Sequence, residues 1–269
     1  MTYFGILGTF IVPPLVLLAA IVILNDVRSR STPGGKKIGR WPYLVILIHV
    51  GLALLYTTPW DNYLVATKVW WYNPQLVTGI IIGWVPIEEY IFFVLMTLLT
   101  GLWIVGLHRW VFRAPSQMKL NPVIRWAVFV TILIAWVISA IVLLSGWAPG
   151  RYLTLILSWA LVPILTQVWF GADVLWANRR MLALAILPST LYLWIVDTIA
   201  LGYGTWVIDR QQTTGVMLGV LPIEEMLFFL MTNTIIGFGI TLMLSEDLQQ
   251  QALSALANLR KRQARAAQQ

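Results

Sequence analysis

Two short segments of this 269-residue chain carry adjacent acids inside long apolar runs. They are Pro86-Ile87-Glu88-Glu89 and, 136 residues later, Pro222-Ile223-Glu224-Glu225. Acids at membrane depth are costly and mark function. Each pair is followed by two phenylalanines, Phe92 and Phe93 in one copy and Phe228 and Phe229 in the other. A carboxyl group in an apolar site keeps its proton, while its neighbour or the other segment's carboxylate holds the charge. Two groups separated in this way make an acid and a base. An acid beside aromatic rings suits carbocation chemistry: the neutral acid protonates an alkene, and ring faces stabilise the cation formed. The aromatic candidates are Phe92, Phe93, Phe228 and Phe229, then Tyr56, Tyr192, Trp70, Trp206 and Trp84. Asp61 and Asp197 form a further matched pair and are expected to border the same site, Asp61 from the end of the second span and Asp197 from within the sixth.

Membrane spans must position these groups. The chain is 59% hydrophobic and 11% charged, against about 25% charged in soluble domains. Seven apolar runs are long enough to cross a bilayer, roughly 3–25, 42–60, 76–107, 126–147, 152–176, 182–203 and 214–244. The fold class is therefore all-α and polytopic, with seven transmembrane helices. The net charge of +7 falls in short loops and sets orientation; nucleic acid is not the partner it implies. With the N-terminus outside and the C-terminus cytoplasmic, fifteen Lys and Arg lie inside and only Lys68, Arg151 and Arg210 outside. This places the chain in the cell membrane as a multi-pass protein. The chain has no cysteine, no tightly spaced metal-ligand cluster and no glycine-rich dinucleotide motif, so neither metal nor cofactor is expected.

The duplication extends beyond the acids. At a spacing of 136, residues 55–104 align with 191–240 without gaps. Identities include Tyr56/Tyr192, Asp61/Asp197, Trp70/Trp206, Gly79/Gly215, Gly83/Gly219 and Pro86/Pro222. The first helix of each copy aligns poorly. The organisation expected is two parallel three-helix repeats joined by a linking helix: a first repeat at 1–125, the linking helix at 126–150, a second repeat at 151–244 and a basic cytoplasmic tail at 245–269. Parallel repeats place a site at their interface. Within the third span, Gly79 and Gly83 share a helical face that admits a neighbouring helix, and Pro86 kinks the helix beside Glu88. Gly215, Gly219 and Pro222 repeat this in the seventh. Trp60, with Trp41, Trp110 and Trp147, is read as an interfacial anchor. His49 is read as a hydrogen-bonding residue of the bundle, and Asp173 as an ion-pair or cavity-facing acid.

Pro-x-Glu-Glu followed by paired Phe, present twice in a seven-helix chain, resembles the membrane lycopene cyclases. The resemblance covers essentially the whole chain and looks like the two small subunits of the heterodimeric form joined together. It implies a redox-neutral closure of the linear ends of lycopene to β-ionone rings, with lycopene as the lipid-soluble partner, membrane lipid around it and possible contact with other carotenoid enzymes. It carries Pro86, Glu88, Glu89, Pro222, Glu224 and Glu225 as the family motif, with Asp61 and Asp197 in support. A cyclase of C50 or other acyclic carotenoids is an alternative. A small parallel-repeat transporter is another, although Asn233 is the main buried amide that such a pore could use. A polyprenyl transferase would need Asp-rich magnesium motifs, and Asp61, Asp173 and Asp197 are isolated.

Overall fold

The computed structural model describes residues 1–31, 39–110, 120–245 and 248–250. The basic residues Lys36, Lys37, Arg113 and Lys119, and nearly all of the tail expected at 245–269, lie outside the described residues. Among the described residues seven helices are long and apolar enough to cross a membrane, and the protein is an all-α membrane protein. They are α1 (Tyr3–Ser29), α2 (Trp41–Ala66), α3 (Ile87–Trp110), α4 (Pro122–Leu144), α5 (Arg151–Ala177), α6 (Arg179–Gly202) and α7 (Ile223–Leu244). α4 packs on α5 and leaves nearly all its surface facing outward, whereas α3 and α7 meet at the centre.

The third and seventh spans are shorter than the hydropathy implies. Residues 76–86 and 214–222 are not helical. Strands β2 (Ile81–Ile82) and β3 (Val85–Pro86) form a tight hairpin, and β5 (Met217–Leu218) with β6 (Leu221–Pro222) forms another. Gly79 and Gly83 therefore share no helical face. Both adopt positive φ, at 80° and 69°, as Gly215 and Gly219 do at 79° and 65°. Gly83 opens a two-residue turn whose first position requires positive φ, and Asn62 fills the space a Cβ would need. Pro86 and Pro222 end the hairpins and do not kink a helix. A residue before proline avoids the α region, so each helix begins just after its Pro. Hydropathy alone does not separate an apolar hairpin from a helical turn. In each copy a hairpin carbonyl caps the new helix, Ile80 O accepting from Ile87 N and Val216 O from Ile223 N.

The spacing of 136 governs more than the hairpins. β1 (Trp70–Tyr72) pairs antiparallel with β4 (Trp206–Ile208), and Trp71 lies opposite Val207, its own counterpart at that spacing. Two equivalent strands related by a local twofold through this pair have this register. A second reciprocal contact involves the prolines of α1 and α5. Pro14 and Pro163 lack the N–H that an α-helix would offer to Phe10 O and Trp159 O. Tyr192 donates to Phe10 O at 2.5 Å, and Tyr56 donates to Trp159 O at 2.9 Å. Each tyrosine thus satisfies a carbonyl freed on the first helix of the opposite half.

Candidate active site

Glu88 and Glu89 occupy the first turn of α3, and Glu224 and Glu225 the first turn of α7. They sit near one end of the bundle, and acids in a first turn are favoured by the positive end of the helix dipole. All four are buried. Adjacent residues on a helix point about 100° apart, and the two members of each pair do different things. Glu88 turns back to its hairpin, its Oε1 accepting from Thr78 N at 2.6 Å. Glu224 does the same, its Oε1 accepting from Thr214 N at 2.7 Å and Thr214 Oγ1 at 2.8 Å. Glu88→Ala and Glu224→Ala are each expected to cost about 0.5–1.5 kcal/mol by removing the acceptor that ties the hairpin segment to the helix start. Thermal unfolding in detergent reads this, and Glu224→Ala, which loses two bonds, should lower the midpoint more.

Glu89 and Glu225 turn inward to a cavity between α1, α3, α6 and α7. Each accepts a 2.5 Å hydrogen bond from a phenol, Glu89 Oε2 from Tyr3 and Glu225 Oε1 from Tyr152. Asp197 lines the same cavity and accepts from Trp206 Nε1 at 2.9 Å. Its counterpart Asp61 lies inside α2, since that helix continues to Ala66; it does not close the helix as its position near 60 implied. Asp61 is 1% exposed, neither of its oxygens has a hydrogen-bond partner, and it is absent from the cavity wall. The Trp70 indole approaches it as a donor, with Nε1 falling short of hydrogen-bond geometry. Glu89 lies within electrostatic reach of Asp61, Asp197 and Glu225, and Asp197 within reach of Glu225. No Lys or Arg lines the cavity.

Aromatic faces make up much of the remaining wall. Phe92, Phe228, Phe229, Trp70, Tyr72 and Trp206 all border it. Phe92 meets Phe229 edge-on at 6.3 Å and 88°. Burial, with Asp61, Glu89 and Tyr3 nearby, holds the Tyr72 phenol well above its ordinary pKa, so it is neutral. The apolar wall descends from the acids along α1 through Ile6, Leu7 and Ile11. Opposite, Leu193 and Val196 precede Asp197 on α6.

Other residues picked out by type fall elsewhere. Phe93 is buried but does not line the cavity, and Trp84 is 64% exposed. The hydroxyls of Tyr56 and Tyr192 serve the proline-freed carbonyls instead. Trp60 is not an interfacial anchor: its ring packs on Trp159, Trp70 and Phe228. His49 bonds Val45 O through Nδ1 at 2.8 Å. Asp173 pairs with Arg125 at 3.4 Å and accepts from Leu120 N. Asn233 joins Thr100 and Thr190 in a buried hydrogen-bonded set. Among the described residues no group of three or more His, Asp or Glu is arranged to hold a metal ion.

Tyr3 and Tyr152 were not anticipated. A signal for them existed: Tyr3/Tyr152 and Pro14/Pro163 match at a spacing of 149, not 136. The change of register arises because a long connection joins α1 to α2, while Asn178 alone separates α5 from α6.

Comparison with known proteins separates the rival readings of this geometry. The family model described as lycopene cyclase matches residues 9–107 and 150–243. The chain belongs to the lycopene cyclase family. The two matched blocks contain both acid pairs, and a cyclase family is an enzyme family, so the transporter alternative falls away. The chain is 37% identical over 243 residues to a lycopene beta-cyclase of Halobacterium salinarum, covering 90% of this chain and 95% of that one. It is 37% identical over 199 residues to a bifunctional lycopene cyclase/phytoene synthase of Podospora anserina, covering 70% of this chain and 33% of the relative. A protein of the same description from Fusarium fujikuroi is 38% identical over 235 residues, 84% of this chain and 37% of its own length. No solved structure matches the chain.

Proposed function

We propose that this protein is a lycopene β-cyclase, an isomerase that closes the linear ends of lycopene in a single acid-lined cavity. The observation that carries the reading is the meeting of Glu89, Glu225 and Asp197 with aromatic faces at the head of an apolar lane. A carboxylic acid of this set donates a proton to C2 of an end group, leaving a tertiary cation at C1. The C5–C6 double bond supplies the electron pair for the new C1–C6 bond, which moves the cation to C5. Loss of the C6 proton to a carboxylate restores the C5–C6 double bond and completes a β-ionone ring. One proton enters and one leaves, so no electron donor or acceptor is needed.

The residues divide the work. Glu89, Glu225 and Asp197 form the proton-handling set. Tyr3 and Tyr152 hold the two glutamates by their phenols. Phe92, Phe228, Phe229 and the indoles of Trp70 and Trp206 offer faces to the cation. Glu88 and Glu224 position the helix starts by anchoring the hairpins. The apolar lane along α1 and α6 takes the polyene, which reaches the site from the bilayer. The two halves act as repeats about the Trp71–Val207 pair. With the N-terminus outside, the site lies toward the outer leaflet.

The test is turnover of lycopene by the purified protein in lipid vesicles prepared in D2O. The expected products are γ-carotene and then β-carotene, with deuterium at C2 of each new ring. Absence of cyclic product from a well-folded preparation, or product lacking deuterium at C2, refutes the proposal.

A further inference from the structure

The open cavity occupies one side of the local twofold. Its counterpart on the other side can be written position by position. Tyr3, Ile6, Leu7 and Ile11 on α1 correspond to Tyr152, Leu155, Ile156 and Ala160 on α5 at a spacing of 149. On the second helix of each half, Val196 and Asp197 correspond to Trp60 and Asp61 at a spacing of 136. The decisive difference is Val196 against Trp60. Val196 lines the open lane, whereas an indole stands at the matching place. That indole stacks on Trp159 at 4.7 Å and on Phe228 at 5.6 Å, and meets Trp70 edge-on at 5.7 Å. Its Nε1 donates to Leu155 O, the carbonyl of the residue that corresponds to Ile6. Trp159 adds bulk where α1 has Phe10.

The acids follow the same asymmetry. Asp197 is hydrogen-bonded to Trp206 and faces the lane. Asp61 is buried with both oxygens unpaired, whereas Asp197 leaves only Oδ2 unpaired. Buried carboxyl oxygens without partners are rare, because desolvation is not returned by any bond. Glu89, Glu225, Trp70, Trp206, Phe92 and Phe228 lie near the twofold and serve the open side from both halves.

We infer that the protein has one cyclisation site and that Trp60 closes its counterpart, so that the two ends of a symmetric substrate are processed in turn in the lane beside Val196. This rests on the cyclase reading and assigns its active half. Between the two closures the monocyclic intermediate must withdraw and present its other end, so it passes through the bilayer as a free species.

The experiment compares plug and lane. Val196→Trp places in the open half the residue that closes the other, and Trp60→Val removes the existing plug. Both variants, with the graded series Val196→Leu and Val196→Phe, are assayed in vesicles on lycopene and, separately, on γ-carotene. Val196→Trp should lose both ring closures by at least about a hundredfold, in the upper part of the roughly 10–200-fold scale of small pocket changes. The series should fall in order of side-chain volume, and Trp60→Val should stay within about threefold of the parent on both substrates. Thermal unfolding in detergent confirms that each variant is folded; if Val196→Trp is not, the Leu and Phe variants carry the comparison. Retention of a third or more of the activity by folded Val196→Trp and Val196→Phe, or loss of either closure in folded Trp60→Val, overturns the inference. An inactive parent protein would instead refute the cyclase reading itself.

Discussion

Glu89→Gln and Glu225→Gln are each expected to slow ring closure by about 10²–10⁴-fold, the range for removing a general acid or base. Both side chains line the cavity and both are held by a phenol at 2.5 Å. The amide is nearly isosteric and can still accept from that phenol, so the variant keeps the local geometry while losing the exchangeable acid proton. The loss should therefore appear in turnover with little change in thermal unfolding. The pigment composition of vesicles loaded with lycopene checks this directly: unreacted lycopene should dominate for each variant. Glu88→Gln and Glu224→Gln make the internal control. Their Oε1 atoms accept from Thr78 and Thr214, an amide oxygen serves for that, and neither lines the cavity. Wild-type rates in both Glu89→Gln and Glu225→Gln would remove the inner acids from the mechanism.

The division between inner and outer acids was only half legible in the sequence. The repeated Pro-x-Glu-Glu identified four carboxyl groups, and their adjacency implied that they point apart. Which member faces the cavity depends on where the helix starts, and hydropathy placed that start some ten residues too early. Gly79, Gly83 and Pro86 held the correction: two glycines and a proline in eight residues are turn chemistry, not a packing face. The aromatic candidates separated for a similar reason. Phe92, Phe228 and Phe229 follow the inner acids around the helix into the cavity, whereas Tyr56 and Tyr192 lie on the second helix of each half opposite a proline-freed carbonyl. The phenols of Tyr3 and Tyr152 escaped because the α1–α2 connection breaks the spacing of 136 before α1 is reached. The number of spans was plain, since length and apolarity suffice to count them.

Asp197 and Asp61 make the strongest contrast between the halves. Asp197→Asn should reduce cyclisation by about 10²–10⁴-fold, as loss of a proton-handling group on the cavity wall. Asp61→Asn should reduce it by less than about tenfold, a barrier change below about 1.4 kcal/mol. The two residues match in sequence, helix and burial, each being 1% exposed. They differ in what stands beside them: Val196 and open lane next to Asp197, the Trp60 indole next to Asp61. Burial alone would therefore make them equal; access to the substrate and the Trp206 hydrogen bond set Asp197 apart. Rates on lycopene and on γ-carotene should fall together in Asp197→Asn, because one cavity performs both closures. Equal losses in the two Asp variants would mean that Asp61 reaches the reacting end group past Trp60, and the proton-handling set would then span both sides of the twofold.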